Sequence, residues 1–145
     1  MRGCKLVAGG HSFPNGLAVG HDGRIYVPSA VVGGIHVYER QADNELKHVD
    51  YIDIPYAIDN LSVDANGDIL VPTFPTGVKA AAVFQDPYDY NTPVTILEVK
   101  RTETGYLWKK LIEDGNAEIL GHSTAVTRDV KTGRLFISGM FSNLA

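Results

Sequence analysis

The 145-residue sequence is short of several things at once: it has one cysteine, no long apolar run and no block of positive charge. Cys4 has no second thiol with which to close an internal disulfide. Outside a matching nucleophile context it reads as inert, so the redox compartment stays open. No apolar stretch approaches the ~20 residues of a membrane span, and the opening MRGCKLVAGG lacks the apolar h-region of a signal peptide. No membrane span is expected, and nothing in the chain names a compartment. The 13 Lys and Arg are scattered and the formal net charge is −4, so there is no basic stripe to track phosphates, and nucleic acid is excluded as a partner. Helical periodicity is missing as well, since no stretch keeps a 3.6-residue period for three turns.

What the chain does contain is the composition of one globular domain, 44% hydrophobic and 21% charged, punctuated at short intervals by Gly, Pro, Asn and Asp. β-Branched and aromatic residues alternate between these breaks, which predicts an all-β fold. GRIYVPS and GGIHVYER read as strands around Val32-Gly33-Gly34. Ala42 to Glu45 turns the chain into LKHVDYIDI, making an antiparallel meander. QDPYDYNTP, Gln85 to Pro93, reads as a surface loop, and TILEVKRTETGYLWKKLIEDG supplies two strands around Thr104-Gly105. A helix over Tyr106 to Glu113 is bracketed too tightly by Gly105 and Gly115 to be stable.

A repeat organises these strands. NGLAVGHDGRIYVPS, Asn15 to Ser29, and DNLSVDANGDILVPT, Asp59 to Thr73, align without a gap at an offset of 44 residues. A looser copy, STAVTRDVKTGRLFISG, runs from Ser123 to Gly139. Each is a short polar-headed strand, a glycine-bearing turn and a β-rich strand. Units of about 40–50 residues with four strands are propeller blades. The expected fold is a single partial β-propeller over residues 1–145 with copies near 15–58, 59–122 and 123–145, about three blades or half of a six-bladed ring. The innermost strand of a blade lines the central channel, which makes Asn15 and Asp59 equivalent in successive blades, with Asn60 beside the second. Side-chain oxygens with no sulfur or imidazole among them suit a hard cation such as calcium, which takes about 6–8 oxygens. The competing reading is that these residues satisfy backbone groups at strand-entry turns. DANGD, Asp64 to Asp68, echoes a calcium loop but reads as a hairpin turn.

FPNGLAV, IHVYER, AIDNLSVDANGDILVPTFPTGVK, LGHSTAV and GRLFISGMF stand in the order and spacing of the C-terminal half of paraoxonase/arylesterase-like proteins, which the chain resembles over nearly its whole length. That family belongs with the six-bladed, calcium-dependent, gluconolactonase-like hydrolases. The resemblance implies that Asn15, Asp59 and Asn60 are calcium ligands at the channel floor. It also implies hydrolysis of a small lactone or aryl ester, the ion acting as a Lewis acid on the oxygen that gains charge. The glutamate and further asparagine that complete the family's ligand set, and the histidines assigned as its general base, have no counterpart in this sequence. Phe74 departs from the family pattern, standing where animal paraoxonases carry a histidine before Pro-Asn, and implies a more apolar channel wall.

Among the five histidines, His36 and His48 alternate with apolar neighbours on outer strands and read as solvent-facing rings, while His11 and His21 lie in turns. His122 leads into the third copy's inner strand and is the candidate for a catalytic or substrate contact, with Ser123 beside it on the channel. GHSTA around Ser123 is a near-miss of the nucleophile elbow, and GGHSFP around Ser12 is a weaker one. Neither has the strand-to-helix context that the elbow requires.

Three blades of a six-bladed ring leave open radial faces, so the sequence reads as a fragment or as a half that a second copy could complete by self-association. Two other functions fit the same pattern: a non-catalytic calcium-binding or interaction module, and a metal-free strictosidine-synthase-like propeller, against which the Asp59-Asn60 pair argues.

Overall fold

The glycine-punctuated alternation folds as antiparallel strands in the computed structural model, which describes residues 3–77, 86 and 92–139. Eleven strands run through the described residues: β1 (Ala18–Val19), β2 (Ile25–Pro28), β3 (Ile35–Arg40), β4 (Leu46–Ile52), β5 (Ala57–Ile58), β6 (Ser62–Val63), β7 (Ile69–Phe74), β8 (Val94–Thr102), β9 (Gly105–Asp114), β10 (Ser123–Asp129) and β11 (Arg134–Gly139). They form three sheets, ordered β1-β2-β3-β4, then β5-β7-β8-β9 with β6 also paired to β7, then β10-β11. The stretch Tyr106 to Glu113 is strand, as its bracketing glycines required. The surface loop expected over Gln85 to Pro93 lies outside the described residues except at Asp86, Thr92 and Pro93.

The innermost strands stand side by side, β1 against β6 and β6 against β10. Backbone hydrogen bonds join successive sheets: the Ile58 N–H donates to the Ser29 carbonyl at 3.2 Å and the Asn60 N–H to the Thr124 carbonyl at 3.1 Å. Meanders set edge to edge by their first strands are consecutive blades of a β-propeller. Among the described residues the three sheets do not close into a ring.

The 44-residue repeat holds bond for bond. Ala18 and Val19 pair with Tyr26 and Ile25, as Ser62 and Val63 pair with Leu70 and Ile69. The Gly20 N–H donates to the Arg24 carbonyl at 2.8 Å, and the Asp64 N–H to the Asp68 carbonyl at 2.9 Å. DANGD is thus a hairpin turn, and its Gly67 has a positive φ, as Gly23 does in the first copy, the conformation glycine adopts without steric cost.

Packing explains why ILVPT on β7 is a continuous apolar run and not an alternating one. Ile69 and Val71 face one core cluster with Ile35, Val37, Ile54, Ile58, Leu97 and Val99. Leu70 faces a second with Val94, Ile96 and Val126. Successive residues point to opposite faces, and here both faces are covered by neighbouring blades. Each fully buried aliphatic side chain contributes about 1.5–3 kcal/mol relative to exposure, so this middle sheet is the anchor of the unit.

Candidate functional site

In both complete copies the innermost strand is broken at the same point. Pro14 bridges Ser29, Asn15-Gly16-Leu17 leave the ladder, and pairing resumes at Ala18. Ile58 pairs with Thr73, Asp59-Asn60-Leu61 leave the ladder, and pairing resumes at Ser62. Asp59 is therefore not at the head of one strand, as the sequence suggests, but in a gap between two short pieces, β5 and β6. One backbone bond spans each gap: the Asn15 N–H donates to the Pro28 carbonyl at 3.4 Å and the Asp59 N–H to the Pro72 carbonyl at 3.2 Å. The third copy is irregular at the same place, where the β10–β11 register shifts between Ser123 and Ala125. The skipped residue, Thr124, turns its carbonyl to the Asn60 backbone N–H at 3.1 Å and side-chain Nδ2 at 3.2 Å.

These breaks bring together the three residues singled out from the sequence. Asp59 Oδ1 accepts from Asn15 Nδ2 at 2.9 Å and from Asn60 Nδ2 at 2.8 Å. Burial pushes the Asp59 carboxyl up from its ordinary range, outweighing the amide donors of Asn60 and Asn15 that favour its charged form. Among the described residues no lysine or arginine is paired with it. A half-buried carboxylate flanked by two amides and lacking a cationic side chain fits a hard cation's donor set. Each amide also carries an oxygen that rotation about χ2 exchanges with its nitrogen.

Gly16 belongs to this arrangement. Its φ is +78°, and a Cβ added there would lie 3.0 Å from Asn60 Cα and 3.1 Å from Asn60 Oδ1. Only glycine lets the first blade's break approach the second so closely. The Asn-Gly dipeptide was the available signal, although the reason for its glycine is an inter-blade contact.

The other candidate residues are placed less favourably for chemistry. Ser123 is buried, and its hydroxyl donates to the Leu120 carbonyl at 2.6 Å. It opens β10 with no helix after it, so it is not an elbow nucleophile. His122 is 4% exposed with φ +63°, directly before the irregular start of β10 and two residues from the carbonyl that Asn60 contacts. Phe74 pairs with Ala57 and packs on the second core cluster. His48 is exposed as expected, whereas His36 is half-buried among other rings.

A buried charge network went unseen in the sequence. Arg128 donates through Nε to Asp64 Oδ2 at 2.6 Å, through Nη2 to Asp64 and also to Asp68 Oδ2 at 2.9 Å, and through Nη1 to Glu98 Oε1 at 2.5 Å. Lys109 lies 3.0 Å from Glu98 Oε2 and Lys100 2.8 Å from Asp68. Burial alone would raise the Glu98 carboxyl, but the bonds from Arg128 and Lys109 outweigh it and hold it below the ordinary range. The network ties β10 to the middle blade and is structural.

The arylesterase family model matches residues 2–143. Serum paraoxonase/arylesterase 1 of Homo sapiens is 31% identical over 140 residues, covering 94% of this chain and 38% of its own. Serum paraoxonase/arylesterase 2 of Gallus gallus is 31% identical over 141 residues, with the same coverage of 94% and 38%. Serum paraoxonase/lactonase 3 of Oryctolagus cuniculus is 40% identical over 77 residues, 52% of this chain and 22% of its own. The chain spans about two fifths of the length of the paraoxonase/arylesterase 1 and 2 relatives just described.

Proposed function

Since the chain belongs to the arylesterase family, whose members resembling it carry names of esterases and lactonases, we propose that it forms the calcium-proximal part of a hydrolase of lactones or aryl esters. The observation that carries this reading is the convergence of Asn15 and Asn60 on the Asp59 carboxylate at matching breaks in two adjacent inner strands.

Asn15, Asp59 and Asn60 would hold the ion, which when bound supplies Lewis-acid polarisation of the scissile group. The chain's own part is positional. Backbone bonds from Asn15 to Pro28 and from Asp59 to Pro72 fix the two breaks, and Thr124 fixes Asn60. The backbone around the three residues is thus pre-set before any substrate arrives, which limits the ordering cost of binding, and ion binding would turn the Asn15 and Asn60 amides so that their oxygens replace the nitrogens now facing Asp59. One oxygen from each amide and one or both from the carboxylate fall short of the about 6–8 that calcium takes. Water, substrate or further protein oxygens would complete the set, and His122, beside the third break, would contact substrate.

Phenyl acetate and simple lactone hydrolysis by the chain, in calcium and in chelator, tests the proposal. Calcium-dependent turnover that Asp59→Asn abolishes supports it. Turnover indifferent to chelator and to Asp59 overturns it. Calcium binding with no turnover favours the non-catalytic module.

A further inference from the structure

A second group of candidate ligands lies on the first sheet, two and three strands outward from β1. His36 on β3 and His48 on β4 place Nδ1 and Nε2 3.2 Å apart. Their strands pair with a register shift between Val37 and Tyr38, so that His36 opposes Tyr51 while Tyr38 opposes His48. The shift brings the two imidazoles onto one face at a diagonal, with ring centroids 5.3 Å apart. A tetrahedral zinc site with Zn–N bonds of about 2.0–2.1 Å has an N···N edge of about 3.3 Å. The spacing already present is that edge.

Neighbouring rings hold the pair. Tyr51 stands 5.0 Å from His36 and Tyr38 5.2 Å from His48, centroid to centroid. His11 stacks edge-on to His36 at 4.9 Å, and its own Nε2 lies 3.2 Å from the Tyr38 hydroxyl. Fixed rings lose little freedom when a metal arrives, the role that outer-shell contacts play around histidine ligands. The opposed nitrogens share one proton in a hydrogen bond; a zinc ion that displaced it would sit off the line between them, at about 2.0–2.1 Å from each nitrogen, once small ring rotations turn both lone pairs toward it.

We infer that His36 and His48 form a two-histidine chelate for a borderline divalent ion of the zinc class, separate from the oxygen cluster at Asn15, Asp59 and Asn60. Imidazole nitrogens select zinc, copper or nickel over calcium and magnesium, as carboxylate and amide oxygens do the reverse. Among the described residues no group of three or more His, Cys, Asp and Glu side chains is placed to hold one ion together. The chain therefore supplies two ligands and water the others, giving an open and exchangeable site.

Titration calorimetry of Zn²⁺ into the chain, with calcium held saturating throughout, tests this. The expected result is one zinc per chain. Loss of an outer-shell partner already costs about 10–100-fold in affinity, so His36→Gln and His48→Gln should each weaken binding by at least tenfold, while His21→Gln, at an exposed turn, leaves it unchanged. His48 is exposed, and His48→Gln should keep the wild-type thermal transition without metal, so this variant decides the matter if His36→Gln fails to fold. Imidazole ¹⁵N resonances of His36 and His48 should shift with zinc and that of His122 should not. Absence of saturable zinc uptake by the wild type, wild-type affinity in His48→Gln, or shifts confined to other histidines would overturn the proposal.

Discussion

Asn15 and Asp59, 44 residues apart in sequence, are hydrogen-bonded side chain to side chain at 2.9 Å across two blades. Their repeat-equivalent positions meet because the same break interrupts both inner strands. A sequence offset has become a spatial contact, and Asn60 completes it from the other side of Asp59 at 2.8 Å.

Gly16 separates this contact from simple turn chemistry. With φ +78° and Asn60 Cα 3.0 Å from the position of an added Cβ, Gly16→Ala must strain the backbone and displace Asn60. Left-handed strain of about 1–2 kcal/mol is expected. Calcium affinity, measured by calorimetry, should fall by more than that strain alone explains. A Gly16→Ala variant with unchanged affinity would mean that the close approach is incidental to the site.

Arg128 neutralises a side-chain set in which Asp64 is 0% and Glu98 3% exposed. Arg128→Met keeps the aliphatic volume but leaves these carboxylates without their shared cation. Breaking a buried pair costs about 3–5 kcal/mol. Urea denaturation should show a loss near the lower figure, because Lys109 and Lys100 still reach Glu98 and Asp68. A loss below about 1 kcal/mol, the scale of an exposed pair, would contradict this account of the network.

Acid should release the same network. The Glu98 carboxyl is held below its ordinary value of 4.5 in the fold. Its contribution is present above the unfolded-state value and is lost as pH falls through the folded one. Asp114, buried in part but accepting backbone N–H bonds from Glu118, Ile119 and Leu120, is lowered as well and adds in the same direction. Urea midpoints should hold nearly level down to about pH 5 and then decline. Glu98→Gln should flatten the decline, and an equally steep one in that variant would assign the acid lability elsewhere.

Zinc binding at His36 and His48 should be indifferent to the oxygen cluster. Asp59→Asn should leave zinc stoichiometry and affinity unchanged in calorimetry, while its calcium response is lost. Parallel loss of both ions would show one coupled site in place of the two proposed.

The blade architecture was legible because it depends on period and punctuation: apolar alternation, Asp/Asn-Gly turns and the offset of 44 fixed strands, hairpins and the equivalence of Asn15 with Asp59. Local chemistry of that kind needs no knowledge of distant partners. The position of Asp59 within a strand break was not legible, since Ile58 and Ser62 both look like strand residues and only their pairing with Thr73 and Leu70 shows the gap. Arg128 was unreadable for a related reason. Asp64 and Asp68 read as turn residues, and their burial depends on an arginine 60 or more positions away. His36 and His48 looked like separate surface rings because the shift at Val37 and Tyr38 that brings them together leaves no mark in residue type.

The central claim is that Asn15, Asp59 and Asn60 form a cation site. Thermal unfolding of the chain in millimolar calcium and in chelator, for the wild type and for Asp59→Asn, tests it most directly. A ligand at 100 times its dissociation constant stabilises the native state by about 2.7 kcal/mol, and each kcal/mol moves the midpoint of a domain this size by roughly 2–4 °C. The account predicts a calcium-dependent rise of several degrees in the wild type and none in Asp59→Asn. An equal rise in both proteins, or none in either, would contradict it.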